Sequence, residues 1–401
     1  MNGSLKHYDV IIAGAGPAGT SAAIHLAKNN LRVLLVEKKT FPRIKLCGEF
    51  ISPECIDHFE ELGVALDMET SGPAAISETI FYSHRGKRFA VPSRWFGGTV
   101  ALGLSRYTMD DNLLRRARSL GVDVWEQSLA TDLIKSADGV AGLKIKTPIA
   151  EYECAARVLI DATGRSGVLV RKISSSNRQR AKPRLVAFKT HVNGARGARN
   201  ACEIYSYPGG YGGLSSVENG LSNLCFIVDA HEVINAHSDP EAVVRENVMR
   251  NPRAAFTLEP ATFKTGWLSV ALESFGRQRA SPVNGLLAIG DSAAFIDPFT
   301  GSGMLMAFES GKLVADVIVR HQNKLHELAG IEAISSDYDR EYREKFNPRL
   351  RVCSFLRRVA YKPRLAQFAI TICGANEMFR NWLARATRSN IKGNTASPRL
   401  G

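Results

Sequence analysis

Polarity along the first part of the chain changes in blocks. Val10-Ile11-Ile12-Ala13 is apolar throughout, and Gly14-Ala15-Gly16-Pro17-Ala18-Gly19 breaks the run. Thr20 to Asn29 then follows a helical rhythm, and Arg32 to Val36 is apolar again before Glu37. Short uninterrupted apolar runs read as strands buried on both faces, so this unit predicts strand, turn, helix and strand with parallel pairing. The same kind of run returns twice, from Arg157 to Asp161 before Ala162-Thr163-Gly164, and from Leu286 to Ile289 before Gly290-Asp291. Between these runs the pattern alternates. Ser77 to Leu104 predicts a hairpin layer, Ala130 to Tyr152 an antiparallel meander, and Leu185 to Leu272 a longer β region. Helical stretches are predicted for Glu54 to Leu62, Asp110 to Leu120 just behind Arg106, Asp239 to Arg250, Gly303 to His321, and from Ile334 onward.

Buried-strand signals at the start, middle and near residue 290 predict an α/β fold with a discontinuous Rossmann-like domain over 1–75, 101–175 and 276–330. An antiparallel β-sheet substrate domain over 76–100 and 184–275 is inserted, and a basic helical segment covers 331–401. The polar stretch 171–183 reads as the crossover between them.

Composition narrows the class. Of the 401 residues, 45% are hydrophobic and 23% charged, as in ordinary globular proteins. The first strand begins within about eight residues of Met1, leaving no room for a signal peptide, and no apolar run approaches the roughly 20 residues of a membrane span. Seven cysteines without a CxxC pair argue against a disulfide framework or a zinc site. We therefore expect a cytoplasmic protein without a bound metal. The net charge of +13 is concentrated at the end, where Lys345 to Gly401 holds twelve Lys/Arg and one acid. The apolar stretch Leu365 to Cys373, with Met378 to Leu383, lies among these cations. It predicts either a helix packed on the nucleotide domain, which we favour, or a peripheral membrane contact. No recognition motif accompanies the charge, so nucleic acid is excluded.

The opening unit carries the first chemistry. Gly14 permits a tight turn, Gly16 lets the backbone approach a pyrophosphate, and Gly19 allows close packing of helix on strand. The helix N-terminus offers N–H groups and positive dipole, and Glu37 is placed to accept from a ribose hydroxyl. This predicts a dinucleotide. A second acid, Asp291, follows another buried strand and suits a longer polyol, and Gly301 and Gly303 open a further helix whose N-terminus suits an anionic ring edge. Cys47 lies in a proline-bounded loop, either as a packing residue or facing the cofactor, with direct catalysis the less favoured role. Tyr205, Tyr207 and Tyr211, in a Gly-rich stretch, read either as a flat slot for a planar apolar substrate or as an ordinary hairpin turn.

Together, Gly14 to Gly19 with Glu37, Asp161-Ala162-Thr163-Gly164, and Gly290-Asp291 through Met304 resemble the FAD-binding fold of the p-hydroxybenzoate hydroxylase class. This is the superfamily of class A flavin monooxygenases. Cys47-Gly48-Glu49 and Asp297 to Gly301 resemble its geranylgeranyl reductase-like branch. The resemblance implies FAD held by Gly14, Gly16, Pro17, Ala18 and Gly19, with Glu37 and Lys38 on the adenosine side. It places Arg106 at the phosphate–ribityl region, Asp291 at the ribityl chain, and Pro298, Gly301, Ser302, Gly303 and Met304 beside the isoalloxazine, with Cys47 near the flavin. It adds Ala130, Asp161 and Gly164 to the cofactor set, although the usual GADG reads DATG here. The activity implied is an NAD(P)H-dependent monooxygenase acting through a flavin C4a-hydroperoxide on an apolar aromatic or polyketide-like molecule. Reduction of prenyl or quinone double bonds is the alternative, and a non-catalytic flavin-binding module the second. The prenyl-reductase pattern of Trp before Phe-Pro-Lys and the halogenase Trp-x-Trp-x-Ile-Pro are both absent.

Overall fold

The computed structural model describes residues 6–98, 100–173, 184–272, 276–297 and 301–360, with Thr371 and Asn376. The predicted buried runs assemble into one five-stranded sheet, in the order Leu286–Ala288, Val158–Asp161, Val10–Ala13, Val33–Val36 and Asp123–Trp125. Every pair in it is parallel. Alternate side chains divide between two cores, as the pleat requires. Val10, Ile12, Val33, Leu35, Val158 and Ile160 meet the helices Pro17–Lys28, Arg106–Ser119 and Gly303–Arg320. Ile11, Ala13, Leu34, Val36 and Leu159 meet the meander Leu129–Ser136, Gly139–Lys146 and Glu151–Ala155. The strands all run toward one edge, where Gly14, Glu37 and Asp291 emerge.

A second, eight-stranded sheet holds Leu185–Asn193, Ser222–Asp229, Gly210–Ser216, Ala201–Tyr207, Glu78–Tyr82 and Arg88–Pro92 as neighbours in that order. It departs from a purely antiparallel sheet at one pair, since Ala201–Tyr207 runs parallel to Glu78–Tyr82. The segment Asp239 to Arg250 is not one helix. Asn247 has φ −121° and ψ −58°, which separates Pro240–Glu246 from a short turn at Val248–Arg250. Two further helices, Ala230–Asn235 and Pro252–Leu258, complete that layer. Arg106 does not precede its helix but is the first residue of it, behind the N-cap Ser105, whose hydroxyl accepts from Thr108 N–H. Glu218, from the eight-stranded sheet's side, reinforces that helix start by accepting from Ser105 N–H at 2.9 Å.

The helix Leu328–Ala360 packs on the nucleotide domain. Tyr338, Tyr342 and Phe346 are buried, Tyr338 Oη donates to Ala288 O at 2.7 Å, and Arg349 pairs with Glu309 at 2.8 Å. The apolar tail segments at 365–373 and 378–383 lie outside the described residues, apart from Thr371, as does most of the crossover 171–183. Among the described residues no helix is long and apolar enough to cross a membrane.

Helices Pro17–Lys28 and Gly303–Arg320 approach closely because Gly311 lacks a side chain. A Cβ there would lie 2.6 Å from Ala18 O and 2.9 Å from Ser21 Cβ. On propensity alone Gly311→Ala should stabilise a helix by about 1 kcal/mol. The backbone carbonyl cannot turn aside, so overpacking of roughly 1–3 kcal/mol should outweigh that gain. The variant should unfold at a lower temperature in a thermal melt, and an unchanged or higher midpoint would contradict this packing.

Candidate functional site

At the shared strand edge, Gly14 has φ +107° and a Cβ there would meet Ala162 O at 2.3 Å. A Cβ on Gly19 would stand 1.9 Å from Gly14 O. Both glycines are therefore demanded by close packing of turn, helix and strand. Gly16 is different: its Cα faces two guanidinium groups, Arg106 and Arg43, at 3.9 and 4.0 Å from a Cβ position. It opens the helix whose first residue is Pro17, with Ala18 buried behind. Glu37 accepts from Ala15 N–H at 3.1 Å and Lys39 N–H at 2.9 Å, while Lys38 beside it is exposed.

Cations converge opposite Gly16. Asp110, fully buried, takes a bidentate pair from Arg106 at 2.7 Å and a bond from Arg43 at 3.0 Å. Burial works against the charge of Arg106, but Asp110 and the Cys47 thiol hold it as a guanidinium. Lys45 is exposed by surface area, although protein atoms crowd around it. Desolvation first, then Arg43 and Arg106, push its ammonium down to about 8. Asp291 lies on the same cleft floor. Burial pushes its carboxyl up, against the pull of Arg165, Arg106 and Lys45.

From here the loop Leu46 to Phe50 reaches across to the eight-stranded sheet. Glu49 is 1% exposed and adopts a left-handed backbone with φ +53°. Its carboxylate accepts from Arg106 N–H at 2.8 Å and Lys189 Nζ at 2.5 Å, and meets His191 Nε2 at 2.7 Å. Burial acts to raise Glu49, but His191 and Lys189 outweigh it and hold the carboxyl below the usual range. Cys47 is half-buried. Its sulfur accepts from Glu49 N–H at 3.4 Å and lies against Arg106, and its carbonyl accepts from Asn223 Nδ2 at 3.0 Å.

The sheet face under this loop is banded by strand register. His191, Asn223 and Ser215 lie opposite one another in a polar row. Lys189, Cys225 and Gly213 form the next row, and Ala187, Ile227 and Tyr211 an apolar one. Leu46 and Phe295 close over the apolar row, and the Tyr211 hydroxyl donates to Asp297. Phe50 stands 3.5 Å from a Cβ position on Gly301, which has φ +61°. Ser302 stands at the N-cap position of the helix that begins at Gly303, and Met304 is partly buried against the core. The loop residues Leu46 and Phe50 thus link the apolar sheet face to the start of that helix.

Three expectations change, those for Asp161, Tyr205 and Tyr207. Asp161 is not at the cofactor surface: its carboxylate is fully buried and takes Thr163 N–H, Ser292 Oγ, Leu169 N–H and Val170 N–H at 2.8–3.1 Å. It caps the helix Val168–Ile173, while Gly164 beside it keeps open space at its Cα. The Ala130 side chain packs in the core behind the parallel sheet. Tyr205 and Tyr207 lie on the far face of the eight-stranded sheet, in the core with Val243, Val244 and Leu258. Tyr205 donates to Glu203 at 2.5 Å and Tyr207 to Ile227 O at 3.0 Å. Of the three tyrosines, Tyr211 alone lies on the face that carries the apolar row. Pro298 lies outside the described residues. Sequence reasoning missed Arg43, Lys45, Asp110, Lys189, His191 and Asn223. The signal it passed over was Lys189-Thr190-His191 inside an otherwise apolar strand, where buried charge is rare.

A family model described as "FAD binding domain" matches residues 7–315. The digeranylgeranylglycerophospholipid reductase of Methanosarcina mazei is 27% identical, over 77% of this chain and 74% of its own length. The 1H-pyrrole-2-carbonyl-(peptidyl-carrier protein) brominase of Pseudoalteromonas luteoviolacea is also 27% identical, over 78% of each chain. Among solved structures, a flavin-dependent brominase superposes with TM-score 0.80 at 23% identity, covering 95% of this chain and 93% of that one. A geranylgeranyl bacteriochlorophyll reductase-like protein of Thermoplasma acidophilum gives 0.78 at 21% identity, covering 92% of each. At these identities the structural likeness is one of fold.

The residues present fit FAD. The Gly14–Gly19 turn is a cradle that a Cβ would fill, and the cations facing Gly16 match a diphosphate. Lys45 gives this a pH signature. An anion beside it raises its ammonium above the value of about 8, so binding above that pH takes up a proton. FAD affinity should be flat near pH 7 and fall above pH 8, by up to about tenfold per pH unit. Lys45→Arg, always charged, should lose that fall, as read by FAD fluorescence quenching across the range. An equal slope in both proteins would remove Lys45 from the diphosphate site.

Proposed function

The chain belongs to the FAD binding domain family, and we propose that within it this protein is an NAD(P)H-dependent monooxygenase that hydroxylates an apolar aromatic or polyketide-like small molecule. Bound FAD would supply electron transfer and oxygen activation. Gly16, Arg43 and Arg106 would hold its diphosphate, Glu37 its adenosine ribose and Asp291 its ribityl chain. The helix N-terminus from Gly301 to Met304 would lie at the ring.

The observation that carries the reading is the apolar row Ala187, Ile227 and Tyr211 closed over by Leu46 and Phe295. In this reading the space over the row is the substrate chamber, whose side chains would exclude water and give a flat ring a wall to lie against. Tyr211 and Asp297 fix the end of that wall nearest the helix. The loop carrying Cys47 is held to the sheet by Glu49, so the chamber keeps its width while substrate is positioned. A second reading, reduction of prenyl or quinone double bonds, is favoured by the reductases among the relatives. An apolar chamber suits it equally, and oxygen decides between the two.

The test supplies FAD-loaded protein with NADH or NADPH, labelled dioxygen and a panel of one- to three-ring phenols. Hydroxylated product should carry one labelled oxygen, and none should form without oxygen. Reductant consumed with only peroxide released, or a prenyl quinone saturated under anaerobic conditions, would overturn the monooxygenase reading. Brominated product on adding bromide would overturn it equally.

A further inference from the structure

The polar row on this sheet face leaves two buried groups without a hydrogen-bond partner among the described residues, Ser215 Oγ and Asn223 Oδ1, and the second is a pure acceptor. Asn223 is 1% exposed and sits on the strand Ser222–Asp229, flanked across the sheet by His191 and Ser215. Its amide orientation is set by chemistry: Nδ2 donates to Cys47 O at 3.0 Å, which leaves Oδ1 as the acceptor. Oδ1 is buried and has no hydrogen-bond partner among the described residues. Lys189 Nζ and His191 Nε2 both go to Glu49, and the Ser215 hydroxyl, itself without a partner among the described residues, does not reach Oδ1. A buried amide oxygen without a donor is costly, and native structures rarely keep one without a use.

Its place suggests the use. Cys47, held by Asn223, lies against Arg106, and Arg106 faces Gly16. Asn223 is therefore one loop away from the dinucleotide edge, on the same sheet face as the apolar row Ala187, Ile227 and Tyr211. We infer that Asn223 is a specificity-determining residue whose Oδ1 accepts a hydrogen bond from a substrate hydroxyl. The substrate class is then a hydroxylated aromatic, with its ring on the apolar row and its hydroxyl on the polar one, rather than a bare hydrocarbon. A site built to bond a hydroxyl discriminates strongly against the analogue lacking it, because the buried acceptor is then left unpaired. The inference rests on this chamber being the substrate site of the proposed flavoenzyme.

The test is binding, not turnover. FAD-loaded protein is titrated with one- to three-ring phenols and with their parent hydrocarbons and methyl ethers, following the perturbation of the bound-flavin spectrum. Wild type should bind the phenols at least about tenfold more tightly than either comparison series. Asn223→Leu should bring the ratio of phenol to hydrocarbon affinity, both read in the same variant, down to about one, whatever the loss of the Nδ2 bond to Cys47 O does to both affinities together. Asn223→Asp, which keeps an acceptor, should retain the preference, with flavin retention and the melting temperature confirming that both variants fold. Equal affinity for phenol and hydrocarbon in wild type, no saturable binding of any phenol, or a preference that survives Asn223→Leu would overturn the inference. A phenol preference in protein that never hydroxylates would leave Asn223 in this role and sink the monooxygenase reading instead.

Discussion

One buried carboxylate, Glu49, sets the spacing between the two halves of the site. It reaches the backbone of Arg106 on the nucleotide side and Lys189 and His191 on the sheet side, all within 2.8 Å. An ionised acid this deep is tolerable only when fully paired, and removing either partner would leave a buried charge uncompensated. The left-handed backbone at Glu49 is the local strain accepted to aim that carboxylate. Because Cys47 and Phe50 flank it, the same clasp fixes the loop that closes the chamber. Phe50 meets Gly301 on one side, and Cys47 meets Asn223 on the other.

The electrostatics run in one direction from that clasp. Arg106, Arg43 and Lys45 crowd around the Gly16 turn with Asp110 as their buried counter-charge. Two guanidinium groups on one carboxylate leave positive charge over, which adds to desolvation, the larger cause, in lowering the ammonium of Lys45. A diphosphate is the ligand that this excess suits, and the N-terminus of Pro17–Lys28 adds to the same field. On the other side of the loop the sheet face turns apolar, so charge and greasy surface are segregated across a few residues. Such segregation suits a cofactor anchored by its phosphates and reacting at its far end.

Much of this was legible where the chemistry is local in sequence. The turn Gly14–Gly19 and the strand leading to Gly290-Asp291 could be read because strand, glycine and acid are consecutive. Asp161 looked like a second Asp291, but its carboxylate turns back onto Leu169 and Val170 N–H, a contact that depends on the following chain doubling over it. The clasp was illegible because Glu49 and its partners are 140 and 142 residues apart. The tyrosines failed on parity. The hairpin register pairs Tyr211 with Ser206, so Tyr211 shares a face with Ser206, while Tyr205 and Tyr207 point the other way. Alternation can be counted from the sequence, but which face looks at the cofactor is decided by the docking of the whole sheet.

The Gly16 turn and the cations facing it call for a dinucleotide. Purified protein mixed with excess FAD and freed of unbound ligand should retain one FAD per chain, released unmodified on heat denaturation. Gly16→Val should take up far less at unchanged melting temperature, since its side chain would fill the space facing Arg43 and Arg106. Wild-type protein that is folded yet neither retains nor takes up FAD would contradict the central claim.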